Sequence, residues 1–406
     1  MIARAEIAIT GVGAVSAHGW GVEPLWRGLS EGPAAIRPFD LFDHSRHRTH
    51  LAAQVPSPFP PLTIDRHASR SDRFAITAAA EALRSADLDL AATDTARSVG
   101  AFFGSSTGGM FEAESFFRIL VERGGDRLPM RRLATHQNNS PGDAVARRFG
   151  VTGPVETVST ACAAGSMAIG NACRALDSGE VDVAITGGAD GLCQLTYAGF
   201  NALRAVDVEP CRPFRADRRG LSLGEGAGVL VLETAEHARR RGARILGWLC
   251  GAAASCDAFH MTAPVRDGSG AARAMLGALQ RARCAPEAIA FVNAHGTGTA
   301  HNDVAEWHAL RQVFGDRASA VPVTSTKGSI GHLLGAAGAI EAVATVLCLV
   351  HGAVHPTPGD GAIAEGVEID LVRGAPRAIV HPGIAISVNL AFGGANAAIV
   401  VAGEST

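Results

Sequence analysis

The chain has 406 residues, 47% apolar and 18% charged, with a formal net charge of -3. This composition excludes a disordered chain, supplies a large core and, at about 150 residues per domain, allows two or three units. The near-neutral charge argues against nucleic acid as a partner, because the one basic run, Arg239-Arg240-Arg241 before Gly242, reads as a helix end.

Strand-like and helical stretches alternate along the chain. Residues 6–10 read as a first strand, ended by Gly11-Val12-Gly13. Residues 71–86 carry apolar residues at helical spacing, among them Phe74, Ile76 and Leu83. Residues 98–103 form a short strand that runs into the turn Gly104-Ser105-Ser106-Thr107-Gly108-Gly109. Residues 155–159 are a further strand, and Cys162 opens the helix after it. Strands at 181–186 and 228–233 complete the first half. The second half repeats the style, with strands at 245–254, 289–293, 321–325, 382–390 and 397–402 and helices at 270–282 and 335–350. Residues 37–65, rich in proline and histidine, read as a surface excursion. Strands separated by helices imply βαβ crossovers and helix-covered sheets, an α/β fold. The weak repetition of style predicts two halves, residues 1–244 and 245–406.

The N-terminus carries Arg4 and Glu6 and does not read as a signal peptide. No run of about 18 apolar residues stands out, because Glu341 interrupts the stretch 335–350. Eight cysteines without a C-x-x-C pair argue against zinc and redox motifs. The expectation is a cytoplasmic protein with reduced thiols and no membrane association.

Chemistry concentrates at three strand ends, where open α/β sheets place their sites. In Val155-Glu156-Thr157-Val158-Ser159-Thr160-Ala161-Cys162-Ala163-Ala164-Gly165-Ser166, a buried-type strand meets a cysteine flanked by small residues. A cysteine at a helix N-terminus has its thiolate stabilised by the dipole and free N–H groups. A structural cysteine has the same sequence signature, so position alone leaves both readings open. Asn293-Ala294-His295-Gly296-Thr297-Gly298-Thr299 alternates glycine with hydroxyls after a strand, letting a ligand approach the backbone. Lys327-Gly328-Ser329-Ile330-Gly331-His332 follows another strand and precedes a small-residue helix. Neither His295 nor His332 shares metal-ligand spacing with Asp or Cys, and H-E-x-x-H is absent, so no metal is expected.

With these segments, and with Cys211-Arg212-Pro213-Phe214, residues 220–228, Asp257-Ala258-Phe259-His260-Met261-Thr262 and Phe392-Gly393-Gly394-Ala395-Asn396, the sequence resembles the β-ketoacyl-acyl-carrier-protein synthases of the thiolase superfamily. The likeness spans nearly the whole chain and is closest to the elongating Cys-His-His type of fatty-acid, type II polyketide and aryl-polyene pathways. It implies a thiolase-like five-layered αβαβα fold of two pseudo-symmetric halves. It also implies a homodimer or a heterodimer with a related subunit, and an acyl-carrier protein as partner. No cofactor is implied, since the substrates ride on the carrier's phosphopantetheine. By resemblance, Cys162 takes the acyl group, His295 and His332 stabilise the malonyl-derived enolate, and Lys327 orders the site with Glu341 behind it. The N–H groups of Cys162 and Phe392 hold the acyl oxyanion, and Phe392 gates the site. Thr297, Thr299 and Gly393 contact pantetheine, and Thr107 borders the acyl pocket.

The sequence departs from the family at two places. The gating loop usually reads N-S-F-G-F-G-G-T-N and here reads Val388-Asn389-Leu390-Ala391-Phe392-Gly393-Gly394-Ala395-Asn396. Ala391 would stiffen the gate if its position needed positive φ. Thr107, with the polar run His136-Gln137-Asn138-Asn139, points to an unsaturated, aromatic or functionalised acyl chain. The competing reading from a different class is a weakly catalytic or non-catalytic partner subunit that sets chain length. Such subunits usually lack the nucleophile.

Overall fold

The computed structural model describes residues 7–60, 67–90, 99–125 and 128–404. Glu6 and Ser98, assigned above to strands, and residues 61–65 of the irregular stretch lie outside the described residues. The first half contains β1 (Ile7–Ser16), α1 (Arg70–Ser85), β2 (Val99–Gly104), α2 (Ser140–Phe149), β3 (Val155–Val158), α3 (Ala164–Asp177), β4 (Val183–Asp190) and β5 (Gly226–Thr234). The second half contains β6 (Gly247–Cys256), α4 (Ser269–Ala282), β7 (Phe291–Asn293), α5 (Asn302–Phe314), β8 (Pro322–Thr324), α6 (Ala337–His351), β9 (Asp370–Leu371), β10 (Ile384–Leu390) and β11 (Ala395–Gly403). The sequence places most of these within a few residues, the usual uncertainty of element ends.

One mixed sheet runs in the order β9-β8-β7-β10-β11-β6-β1-β5-β4-β2-β3. In the first half β1, β5 and β4 pair antiparallel in turn, and β4, β2 and β3 pair parallel. In the second half β6, β11 and β10 pair antiparallel, and β10, β7 and β8 pair parallel. Order and sense therefore repeat strand for strand, and the halves join where Ile7–Ile9 runs antiparallel to Gly247–Leu249.

The helices separate into layers. α1 packs on β1 and β5, and α4 packs on β6 and β11, as outer covers. α3 and α6 each touch strands of both halves and each other, so they form the middle layer. Ile169 and Leu176 of α3 and Ile340, Val343 and Leu347 of α6 share one core with Ile9, Leu230, Ile399 and Val401. Each such side chain contributes about 1.5–3 kcal/mol by leaving water. Two glycines let the middle helices approach: a Cβ on Gly165 would sit 2.7 Å from the Ala339 nitrogen, and one on Gly338 would sit 2.2 Å from Ser166 Oγ. Contrary to the sequence expectation, one helical stretch among the described residues, Leu334–His351, is long and apolar enough to cross a membrane by length and composition. It is 89% buried inside the protein, as a central core helix must be, and its Glu341 is paired.

The repeat extends to the two crossovers that carry chemistry. After β3 a single 3-10 turn, Ala161–Ala163, leads into α3, and after the β8 crossover a 3-10 turn, Leu334–Ala336, leads into α6. Each turn starts with a non-glycine residue at positive φ, Ala161 at 48° and Leu334 at 53°. Such backbone costs of order 1–3 kcal/mol and persists where the surroundings enforce it.

Candidate active site

Cys162 lies one residue after the strained Ala161 and is buried, at the positive end of α3. The backbone N–H groups of Phe392 and of Cys162 itself reach its sulfur, and Lys327 adds positive potential. These effects favour the thiolate, but burial outweighs them and the thiol is pushed up to about 11. The resting group is a thiol, although the N–H stabilisation expected from the sequence acts on it. Position at a helix start does not offset the removal of the sulfur from water.

His295 follows β7. Its backbone N–H donates to Glu306 Oε1 at 2.6 Å and that of Gly296 donates to Oε2 at 2.8 Å, so a carboxylate on α5 clamps the loop from behind. Ser325 Oγ donates to the Gly296 carbonyl at 2.7 Å and ties this loop to the one after β8. His332 is held through its main chain, with its N–H on the Ser222 carbonyl at 2.7 Å and its own carbonyl accepting from Gly224 N–H at 2.9 Å. Its Nδ1 accepts the Leu334 N–H at 3.0 Å. That bond leaves the proton of the neutral ring on Nε2.

The two imidazoles stand edge to face with centroids 5.4 Å apart. Burial first, and the Lys327 ammonium second, hold both well below the ordinary histidine range. Both rings are therefore neutral at physiological pH. Lys327 is itself buried and pairs with Glu341 of α6. Burial raises the Glu341 carboxyl, and the Lys327 charge with the Asn389 amide pulls it back.

Cys162, His295 and His332 line one cavity of about 360 Å³ together with Thr297, Thr299 and Phe392. Phe392 closes it by stacking on Phe200, centroids 5.6 Å apart. Six residues singled out from sequence thus meet in one place, with Lys327 and Glu341 directly behind. Two others do not reach the cavity. Gly393, at φ 82°, is not in its lining and donates its N–H to the Met261 carbonyl at 2.7 Å. Thr107 turns its hydroxyl to Asp190 Oδ1 at 2.8 Å and is likewise absent from the lining. A threonine can satisfy a buried carboxylate, and that explains its direction. Ala391 has φ -126° and ψ 156°, extended backbone open to any residue, so the feared stiffening of the gate does not arise there. The left-handed positions fall on Gly393 and Gly394.

Sequence reasoning missed four residues. Asp190, fully buried, accepts from the N–H groups of Ser106, Thr107 and Gly335 and from the Ser105 and Thr107 hydroxyls, anchoring both glycine-rich turns. Glu306, Ser166 and Asn389 complete the set. Ser166 Oγ donates to Asn389 Oδ1 at 2.6 Å, and Asn389 Nδ2 donates to Glu341 Oε2 at 2.7 Å. For Asp190 and Asn389 the available signal was a polar residue in a largely apolar strand, which has to find a partner; the mixed helices of Glu306 and Ser166 gave none.

Comparison with known proteins places the chain in a family. The profile for the β-ketoacyl synthase N-terminal domain matches residues 4–238, and that for the C-terminal domain matches residues 246–359. The chain is 37% identical to a 3-oxoacyl-[acyl-carrier-protein] synthase 2 of Synechocystis, covering 97% of both chains. It is 39% identical to a putative polyketide beta-ketoacyl synthase 1 of Streptomyces halstedii, covering 98% of both. Among solved structures, the ishigamide ketosynthase/chain length factor superposes with a TM-score of 0.93 at 32% identity, over 99% of this chain and 100% of that one. A β-ketoacyl synthase from Burkholderia phymatum superposes with 0.90 at 33%, over 99% and 100%. The fold is thiolase-like, and the chain belongs to the β-ketoacyl synthase family.

Proposed function

We propose that this chain catalyses decarboxylative Claisen condensation between an acyl group held on Cys162 and malonyl-acyl-carrier protein, in fatty-acid or type II polyketide or aryl-polyene synthesis. The observation that carries the reading is a buried thiol sharing one cavity with two neutral imidazoles, with two N–H groups aimed at its sulfur.

The steps follow from that geometry. The Cys162 sulfur attacks the carrier-bound acyl thioester, and the oxyanion forms against the N–H groups of Cys162 and Phe392. The carrier thiolate leaves and takes up the proton that Cys162 gave up. Malonyl thioester then loses carbon dioxide, and the electron pair of the broken C–C bond becomes an enolate. His295 and His332 donate Nε2–H bonds to its oxygen. Neutral rings suit this step, because an imidazolium would protonate the carbanion. The enolate carbon attacks the acyl-Cys162 thioester, the C–S bond breaks, and the expelled thiolate takes a proton from solvent. Thr297 and Thr299 hold the pantetheine arm, and no cofactor of the chain's own takes part.

The chain works with an acyl-carrier protein and pairs with a second synthase-like subunit. β3 supports the pairing, since it ends the sheet with Val155 and Glu156 exposed, an edge that accepts another strand. Eight free cysteines fit a reducing cytoplasm.

Intact-mass measurement tests the reading. Incubation with acyl-carrier proteins should add one acyl mass at Cys162, and malonyl-carrier protein should then discharge it as a product two carbons longer. Wild-type protein that gains no acyl mass from any carrier would refute it.

A further inference from the structure

His295 and His332 need the same tautomer to share an enolate oxygen, and the fold supplies it by different means. His332 receives a backbone N–H on Nδ1. The backbone near His295 is committed to Glu306 and does not reach its ring. What faces His295 Nδ1 is the Asn389 amide, with Nδ2 at 3.5 Å. The contact is long, as catalytic hydrogen bonds often are before substrate binds.

Glu341 fixes the orientation of that amide. The Glu341 carboxylate, paired with Lys327, only accepts, so the group at 2.7 Å from Oε2 must be the NH₂. The other end is then the oxygen, and it accepts the Ser166 hydroxyl at 2.6 Å. The second amide proton is then left for His295 Nδ1. Gly338 makes the room, because a Cβ there would sit 2.2 Å from Ser166 Oγ and 2.7 Å from Asn389 Oδ1. Asn389 stands where the family's gating loop carries serine.

We infer that Asn389 is a positioning residue whose amide, locked by Ser166 and Glu341, keeps the His295 proton on Nε2 and so enables that ring to donate to the enolate. This rests on the condensation chemistry proposed above. Asn389 touches no reacting atom and acts through His295.

Asn389→Asp tests it with little change of volume. The carboxylate offers His295 an acceptor where it had a donor, the proton moves to Nδ1, and the donor facing substrate is lost. Malonyl-carrier decarboxylation should fall about 10²–10³-fold, the effect of deleting one oxyanion donor. Acyl loading of Cys162, which depends on the N–H groups of Cys162 and Phe392, should stay within about threefold. Imidazole ¹⁵N spectra should show the His295 protonated nitrogen changing from Nε2 to Nδ1. Ser166→Ala, a smaller perturbation in case the first variant folds poorly, removes one of the amide's two anchors and should lower decarboxylation more than loading. Decarboxylation unchanged in both variants, loading that falls in parallel, or an unmoved tautomer would each overturn the inference. Wild-type protein that neither loads acyl groups nor decarboxylates malonyl-carrier protein defeats the condensation reading itself, a result separable from all three.

Discussion

The buried Lys327–Glu341 pair makes a prediction with two opposite signs. Cys162, pushed up to about 11, is ionised in only about one molecule per thousand at pH 8. Lys327 favours its thiolate and Glu341 opposes it. Lys327→Met should therefore raise the Cys162 pKa and slow alkylation by iodoacetamide. Glu341→Gln should lower the pKa and speed alkylation. Moving that pKa by one changes the thiolate population about tenfold, and the accompanying change in intrinsic nucleophilicity takes back about threefold, leaving about a three- to fourfold change in rate. Both variants break a buried ion pair and should each cost about 3–5 kcal/mol of stability. Labelling is read peptide by peptide, so that exposed Cys256 does not obscure the result and buried Cys211 and Cys348 report any unfolding. A general loosening would move both variants the same way. If both speed alkylation, or both slow it, the electrostatic account of the thiol is wrong.

Three further outcomes follow from the same geometry. His295→Ala and His332→Ala should each lower malonyl-carrier decarboxylation about 10²–10³-fold while Cys162 still accepts acyl groups, measured by carbon dioxide release against intact mass. Burial pushes the Glu306 carboxyl up to about 7, so the folded state binds more protons than the unfolded one between pH 4.5 and 7. Stability should fall by about 3 kcal/mol from this group as pH rises through that window, and Glu306→Gln should flatten the slope in Tm against pH. Asp190→Ala strands three N–H groups, those of Thr107 and Gly335 fully buried, and should cost about 3–5 kcal/mol, with Asp190→Asn recovering part of it, checked by denaturant unfolding.

The architecture was legible because its signals are local. A β-branched run ending in glycine marks a strand, alanine at helical spacing marks a cover helix, and nucleophile and histidines sit at strand ends where glycine and hydroxyls cluster. What sequence could not show depends on partners far along the chain. Thr107 in its glycine turn looks like a pocket residue until Asp190, 83 positions away, takes its hydroxyl. Ser166 and Asn389 are 223 residues apart, and nothing local in the sequence joins them. The balance at Cys162 was hidden for a related reason, since a helix start is visible in sequence and the depth of burial is not.

Pseudo-symmetry explains why this chemistry needs both halves. The turns at Ala161–Ala163 and Leu334–Ala336 are equivalent, so the counterpart of Cys162 is Gly335. Gly335 spends its N–H on Asp190, whereas the N–H of Cys162 stays free to face its own sulfur. In one half the strained turn presents a nucleophile and an oxyanion donor. In the other the same strain places the Leu334 N–H on His332 and fixes a donor for a different oxygen. Condensation has two separate charge-bearing centres, a tetrahedral oxyanion and an enolate. A duplicated crossover meeting itself across one middle layer supplies one polar cradle for each.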